Sequence, residues 1–262
     1  MNFKINLPVK TPKLLKRLYS GYVWDKFSNT STEKTLYITF DDGPIPEVTP
    51  WVQDTLEEYN AEATFFCIGD NIYKNPEVFK RLLDSPHSIG NHTHNHLKGW
   101  KTNFEKYITN FEKTEALIAH YREPQKLFRP PYGKITRHQA KAIKKKGYAI
   151  VMYDVIACDW DKEKSGKTCL NYVIKHAQPG SIIVFHDSLK AESNMKYALP
   201  KVLKPLSTSS KLIYTSSSID PFLLSALATI LPCALRKNGG IPPHSSSMST
   251  DNLSPPNNKA IK

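Results

Sequence analysis

Short apolar runs rich in β-branched and aromatic residues recur along this chain, with amphipathic stretches of helical period between them. Residues 36–40, 63–68, 88–91, 127–129, 148–155 and 181–185 read as six strands, each bounded by Gly, Pro, Asn or Asp. Residues 50–59, 76–83, 104–121, 137–146 and 168–176 read as the helices between them. Val52, Leu56 and Tyr59 stand at helical spacing in the first of these. Phe104, Ile108, Phe111, Leu117 and Ile118 do so in the third. Pro76 opens one helix and Gly147 closes another. Residues 200–203 fit a last helix and 211–215 a final strand. Strands alternating with helices predict an α/β fold with a parallel sheet. Six to seven such units with polar residues at the strand tips predict a distorted (β/α) barrel.

The flanks depart from this pattern. Residues 1–34 form a basic, polar lead-in, expected either to pack on the domain or to touch a membrane surface through its Lys, Leu and Tyr residues. Its start lacks the 7–15-residue apolar core of a secretory signal, so the expected location is cytoplasmic or else left open, with an unrecognised export route as the alternative. No run reaches the ~18 apolar residues of a membrane span. The domain itself is expected over 35–215. Beyond it, residues 222–235 are apolar but interrupted by Pro232, and 238–262 are rich in Ser, Pro and Asn and predicted to be disordered.

Composition adds little to the fold and something to the partners. With 40% hydrophobic and 23% charged residues the chain is an ordinary globular one. Its net charge of +12, partly in runs such as Lys144-Lys145-Lys146, fits a solvated basic surface or attraction to an anionic partner. No basic and aromatic stripe suggests nucleic-acid binding, and a monomer is expected. Cys67, Cys158, Cys169 and Cys233 form no CxxC motif and read as reduced thiols.

The chemistry lies at the strand tips. Asp41 and Asp42 follow the first strand directly, and Gly43-Pro44 turns the chain. Two carboxylates sharing a pocket repel and need a cation or a proton between them. His92-Thr93-His94-Asn95-His96 follows the third strand. In a helix or turn, His92 and His96 would share a face ~6 Å apart, with His94 pointing elsewhere. Together with Asp42 they make a two-histidine, one-carboxylate set of the kind that holds catalytic zinc or non-haem iron. Asp41 is then free to act as general base toward a water. Arg129, before the stiff turn Pro130-Pro131-Tyr132-Gly133, can grip a carboxylate with both arms of its fork. His186 at the sixth strand tip, beside Asp159, has its charged form favoured and suits a general acid.

These segments, taken in order, resemble the five motifs of the NodB-homology polysaccharide deacetylases, the family-four carbohydrate esterases. They are Thr39-Phe40-Asp41-Asp42-Gly43-Pro44, His92-Thr93-x-x-His96, Arg129-Pro130-Pro131-Tyr132-Gly133, Asp159-Trp160 and Val184-Phe185-His186. The resemblance covers roughly residues 35–203. It implies a distorted barrel that removes acetyl groups from sugars such as N-acetylglucosamine, acting on an acetylated amino-sugar polymer or oligosaccharide. It implies Asp41 as base, His186 as acid, Arg129 bracing Asp41 and Asp159 tuning His186. Asp42, His92 and His96 would hold a divalent metal, with Zn2+ expected and Co2+, Ni2+, Mn2+ and Fe2+ as alternatives. Tyr132 (through its main-chain N–H), Pro131, Trp160 and Val184 would contact substrate. Ile156 stands where the fourth motif often has a further Asp, and Val184 where the fifth usually has Leu, a change expected only to adjust the pocket wall. Two rival readings share these motifs: a same-fold hydrolase of a linear or cyclic amide, and a non-catalytic metal-bearing barrel that binds glycan or another anion.

Overall fold

The computed structural model describes residues 8–27 and 35–208, with side chains to residue 204. In chain order the elements are α1 (Lys13–Leu18), β1 (Tyr37–Asp41), α2 (Thr49–Glu58), β2 (Thr64–Cys67), α3 (Gly69–Lys74), α4 (Pro76–Leu83), β3 (Ser88–Asn91), α5 (Phe104–Tyr121), β4 (Leu127–Phe128), α6 (Arg137–Lys145), β5 (Ala149–Ile150), β6 (Val155–Ile156), α7 (Gly166–His176), β7 (Ile182–His186) and α8 (Glu192–Thr208). The seven strands pair in the order β5-β4-β3-β2-β1-β7-β6, every pair parallel, in a curled half-barrel. The barrel expected from the alternation is therefore present.

Local chemistry explains several boundaries. Asn103 caps α5 by accepting from the Lys106 N–H at 2.9 Å. Thr136 and Gln139 form a capping box at the start of α6. Gly147, at φ +84°, ends that helix in a conformation that glycine adopts without strain. Side chains along β1 alternate as a strand requires. Ile38 and Phe40 face the helices, where Phe40 stacks on Phe65 at 5.0 Å and on Phe185 at 6.1 Å. Thr39 and Asp41 point the other way, into the barrel, where both meet Arg129.

Three elements differ from expectation. The run expected as one strand over 148–155 is split into β5 and β6. Between them the carbonyls of Val151 and Met152 turn to Arg129, and the Asp154 carboxylate turns to Lys10 and Lys16, so the stretch cannot also carry a regular ladder. Helix α3 was not anticipated, because six residues with one buried large apolar side chain, Ile72, carry almost no periodic signal. The last helix, expected over 200–203, runs back to Glu192. The expected strand at 211–215, the apolar stretch at 222–235 and the tail lie outside the described residues.

The largest departure is the lead-in, expected only to pack on the domain or a membrane. Residues 8–27 form a strap that completes the barrel by bonding to both open edges. The Val23 N–H donates to Ile150 O at 2.9 Å, and Val23 O accepts from the Met152 N–H at 2.7 Å. On the other edge the Ile156 N–H donates to Val9 O at 2.9 Å and the Thr11 N–H to Asp154 O at 2.8 Å. Asp154 is buried beneath the strap. Burial works against its charge, but hydrogen bonds from Lys10, Lys16 and Ser181 outweigh this and hold its pKa below the usual value. The strap covers edge groups that would otherwise stay unpaired.

Candidate metal centre and active site

The tips of β1, β3, β4 and β7 surround a cavity of about 510 Å3. Asp41 stands at its base, buried. One arm of the Arg129 guanidinium donates to Asp41 Oδ1 at 2.7 Å and to Thr39 Oγ1 at 2.7 Å. The remaining Arg129 donors go to main-chain carbonyls, Nε to Val151 O at 3.2 Å and Nη2 to Met152 O at 2.9 Å. The fork thus grips the carboxylate with one arm rather than the expected two, because the broken strand supplies competing acceptors. Burial pushes the Asp41 pKa up, but the charges of Arg129, His92 and His186 outweigh it and hold the carboxyl below its usual range.

Asp42 follows with φ +90°, a left-handed conformation that carries its carboxylate round to the same cavity as Asp41. Neighbouring strand residues would otherwise point apart. Its carbonyl accepts from Asn71 Nδ2 at 2.7 Å. Behind the turn Asp187 accepts from the Gly43 N–H at 2.9 Å and from the Thr49 hydroxyl at 2.6 Å. A Cβ on Gly43 would sit 1.9 Å from Asp187 Oδ2, so only glycine fits there. Burial pushes Asp187 up to about 8, and the nearby charge of Asp42 adds to this.

His92 and His96 converge through a turn, the second of the two routes expected. The loop after β3 contains no helix. It turns through left-handed residues Thr93 (φ +61°) and His96 (φ +52°), braced by two asparagines. Asn91 Oδ1 accepts from the Thr93 N–H at 2.8 Å, and Asn110 Oδ1 from the His94 and Asn95 N–H groups at 2.8 and 2.9 Å. The ring centroids of His92 and His96 lie 5.1 Å apart. His94 points away and packs against Gly69, as expected.

These residues fit a divalent ion. One donor atom each from Asp42, His92 and His96 lies within 4.8 Å of the others. Asp42 Oδ1 is buried and accepts no hydrogen bond, so an oxygen lone pair faces His96 Nε2 at 3.3 Å and His92 Nε2 at 3.9 Å. His92 Nδ1 donates to the Arg129 carbonyl at 2.7 Å, which leaves the Nε2 lone pair toward the carboxylate. Burial lowers the pKa of both histidines, that of His96 to about 4 with help from His92, so both rings are neutral near pH 7 and each can offer a nitrogen lone pair to a cation.

Across the cavity His186 Nδ1 bonds Asp159 Oδ1 at 2.8 Å, and the His186 main-chain N–H donates to Asp159 Oδ2 at 2.8 Å. Burial works against the imidazolium, but the charge and hydrogen bond of Asp159 prevail, with smaller contributions from Asp42 and Asp41. The His186 pKa rises to about 9. The Trp160 ring stands edge-on to His186 at 4.7 Å.

Residues 28–151 match the family model described as polysaccharide deacetylase. A Bacillus cereus protein named peptidoglycan-N-acetylglucosamine deacetylase is 38% identical over 189 residues, covering 71% of this chain and 87% of that protein. The chain belongs to the polysaccharide deacetylase family. A chitooligosaccharide deacetylase of Azorhizobium caulinodans is 34% identical over 60% of this chain and 76% of its own length. The peptidoglycan deacetylase PgdA of Listeria monocytogenes is also 34% identical, but the match spans only 33% of that longer protein. A crystal structure of the Bc1960 peptidoglycan N-acetylglucosamine deacetylase with a hydroxamate-type benzamide superposes with a TM-score of 0.70 at 34% identity, covering 76% of this chain and 92% of that one.

Within this family member, the expected set Asp41, Asp42, His92, His96, Arg129, Asp159 and His186 is brought together around one cavity, and Tyr132 and Trp160 line it. Two expected substrate contacts are not on the wall. Pro131 is buried beneath the turn, and Pro130 faces the cavity instead. Val184 is buried with Cys158 behind Ile156, and Ile156 takes the wall position. An inward strand position two residues before His186 points into that second layer rather than into the opening. Asp187, Asn71 and Thr49, which fix the Asp41–Gly43 turn, were not anticipated. The only cue for Asp187 was its place beside His186 at a strand tip. Cys67, Cys158 and Cys169 are free and buried, as expected for reduced thiols.

Proposed function

We propose that this protein is a metal-dependent hydrolase that removes the acetyl group from N-acetylated amino sugars of a glycan. The reading is carried by one observation: the carboxylate of Asp41, braced by Arg129, faces the Asp42–His92–His96 set, and His186 stands in the same cavity with Asp159 behind it.

Asp42, His92 and His96 are assigned as the ligands of a divalent ion, with zinc preferred because two neutral imidazoles and one carboxylate suit it and leave coordination positions open. When bound, the ion supplies Lewis-acid polarisation of the acetyl carbonyl and of a water. Asp41 is ionised at neutral pH and takes a proton from the water as its oxygen attacks the carbonyl carbon. Arg129 acts as a positioning residue: its side chain fixes Asp41, while its carbonyl fixes the His92 ring. Tyr132 has a left-handed backbone (φ +60°) at the cavity wall, and its main-chain N–H is assigned to the developing oxyanion. His186 holds its proton on Nε2, since Nδ1 is committed to Asp159. It passes that proton to the departing nitrogen as the C–N bond breaks. Acetate and the free amino sugar result, with one water consumed. Trp160 walls the side of the cavity nearest the acid.

The test is acetate release by the metal-loaded protein from a panel containing N-acetylglucosamine oligomers, glycan-strand fragments, O-acetylated xylo-oligosaccharides and small linear and cyclic amides. Release from the N-acetylated oligomers with equimolar new amine is expected. Turnover confined to the small amides, or none at all, would overturn the reading.

A further inference from the structure

Beside the catalytic cavity lies a second one, of about 220 Å3, which shares the wall Tyr132, Gly133, Lys134, Met152 and Tyr153 with the first. Its lining is strongly aromatic: Tyr19, Tyr22 and Trp24 come from the strap, Trp100 from the turn after the histidine loop, and Tyr132 and Tyr153 from the shared wall. Trp100 is 62% exposed yet held in place, because its indole N–H donates to Ile135 O at 3.0 Å. A large flat ring fixed at an opening is a surface for another ring to stack on.

Two lysines stand at the junction of the cavities. Lys98 Nζ lies over the Tyr132 ring at 4.8 Å, and Lys134 Nζ over the Trp100 ring at 5.0 Å. Their two turns are locked together, with the Gly99 N–H donating to Lys134 O at 3.1 Å and Gln139 Nε2 to Gly99 O at 3.1 Å. A Cβ on Gly99 would lie 2.5 Å from Lys134 O, so this close seam requires glycine. Among the described residues neither ammonium forms an ion pair with a carboxylate, whereas Lys10, Lys16, Lys126, Lys146 and Lys196 elsewhere do. Charges held over rings at a binding opening, without acidic partners, suit an anion on the ligand.

We infer that the aromatic cavity between the strap and Trp100 is a second subsite, taking the sugar next to the one that is deacetylated, and that Lys98 and Lys134 select a neighbour bearing a carboxylate. The inference rests on the deacetylase reading and narrows it from N-acetylated glycans in general to acidic ones. The strap then has two tasks: it closes the barrel and it builds the far wall of this subsite.

The experiment compares kcat/KM for acetate release from two tetrasaccharides. One alternates N-acetylglucosamine with N-acetylmuramic acid and has free lactyl carboxylates. The other is the neutral N-acetylglucosamine tetramer. The wild-type protein should prefer the acidic one, with a KM that rises with NaCl while that of the neutral one does not. Lys98→Gln and Lys134→Gln should each cut the acidic-to-neutral ratio by about tenfold, mainly through KM. Trp100→Ala should raise KM for both tetramers but not for the N-acetylglucosamine monosaccharide, which is too short to reach the subsite. Lys145→Gln, on the exposed face of α6, should leave the ratio unchanged. Equal rates on both tetramers in the wild type, or lysine variants that lower both alike, would overturn the inference and leave the deacetylase reading standing. No acetate from either tetramer would overturn both.

Discussion

Replacing Asp159 with Asn tests the assignment of His186 as the proton donor. Asp159 holds the ring through Nδ1 and the backbone through the main-chain N–H, each at 2.8 Å. Burial disfavours the imidazolium, and the Asp159 charge more than offsets this, so that the His186 pKa stands at about 9 instead of 6.5. That rise corresponds to roughly 3 kcal/mol in favour of the charged ring. The isosteric amide removes the charge and one of the two acceptors, and the pKa should fall to about 6.5 or below. At pH 8 a group of pKa 9 is about 90% protonated and one of pKa 6.5 about 3%, so the variant should lose roughly thirtyfold in kcat/KM there and almost nothing at pH 6. The assay is kcat/KM for acetate release from pH 5 to 10. The alkaline limb of the variant should lie about 2.5 pH units below that of the wild type. An unmoved limb, or a loss equal at every pH, would refute the acid assignment. Stability should follow the same linkage. The folded-state pKa is raised, so the pairing stabilises fully below about pH 6.5 and its contribution fades as pH rises through about 9. The stability gap between wild type and variant in urea unfolding should therefore close at alkaline pH.

Other substitutions test other parts of the site. His92→Ala should abolish tight binding of a divalent ion and turnover together, measured by metal analysis after dialysis. Arg129→Met leaves Asp41 buried without its partner and orphans the Val151 and Met152 carbonyls. It should cost about 3–5 kcal/mol, seen as a melting temperature lower by roughly 6–20 °C. Gly43→Ala forces a methyl against Asp187, 1.9 Å away, and should destabilise the fold by about 1–3 kcal/mol while weakening metal affinity through the displaced Asp42. Unchanged melting in that variant would show that the turn tolerates a side chain.

Much of this architecture was legible because its signals are local. Parallel strands buried on both faces leave continuous apolar runs, and the polar residues that end those runs gather at one rim. That is how Asp41, His92 and His186 were found. The pairing of His92 with His96 was expected through a helix or a turn, and the turn is what forms: helical spacing and a loop with two left-handed residues deliver similar ring separations, and only the fold distinguishes them. Main-chain partners left no trace. Nothing in residues 148–155 reveals that Val151 and Met152 turn their carbonyls to Arg129. Nothing in the polar lead-in reveals that Val9, Thr11 and Val23 pair with both barrel edges, since those bonds require no particular side chains. Val184 was misplaced because a motif position gives a residue's strand and direction but not its depth.

The most direct test of the account is to measure ion stoichiometry and turnover together in the Asp41→Asn protein. The account predicts one divalent ion per chain, bound as tightly as in the wild type, with acetate release from an N-acetylglucosamine oligomer reduced by a factor of about 100 or more. Near-normal release from the ion-loaded variant would contradict it, and so would failure of the wild type to bind a single ion that Asp42→Ala removes.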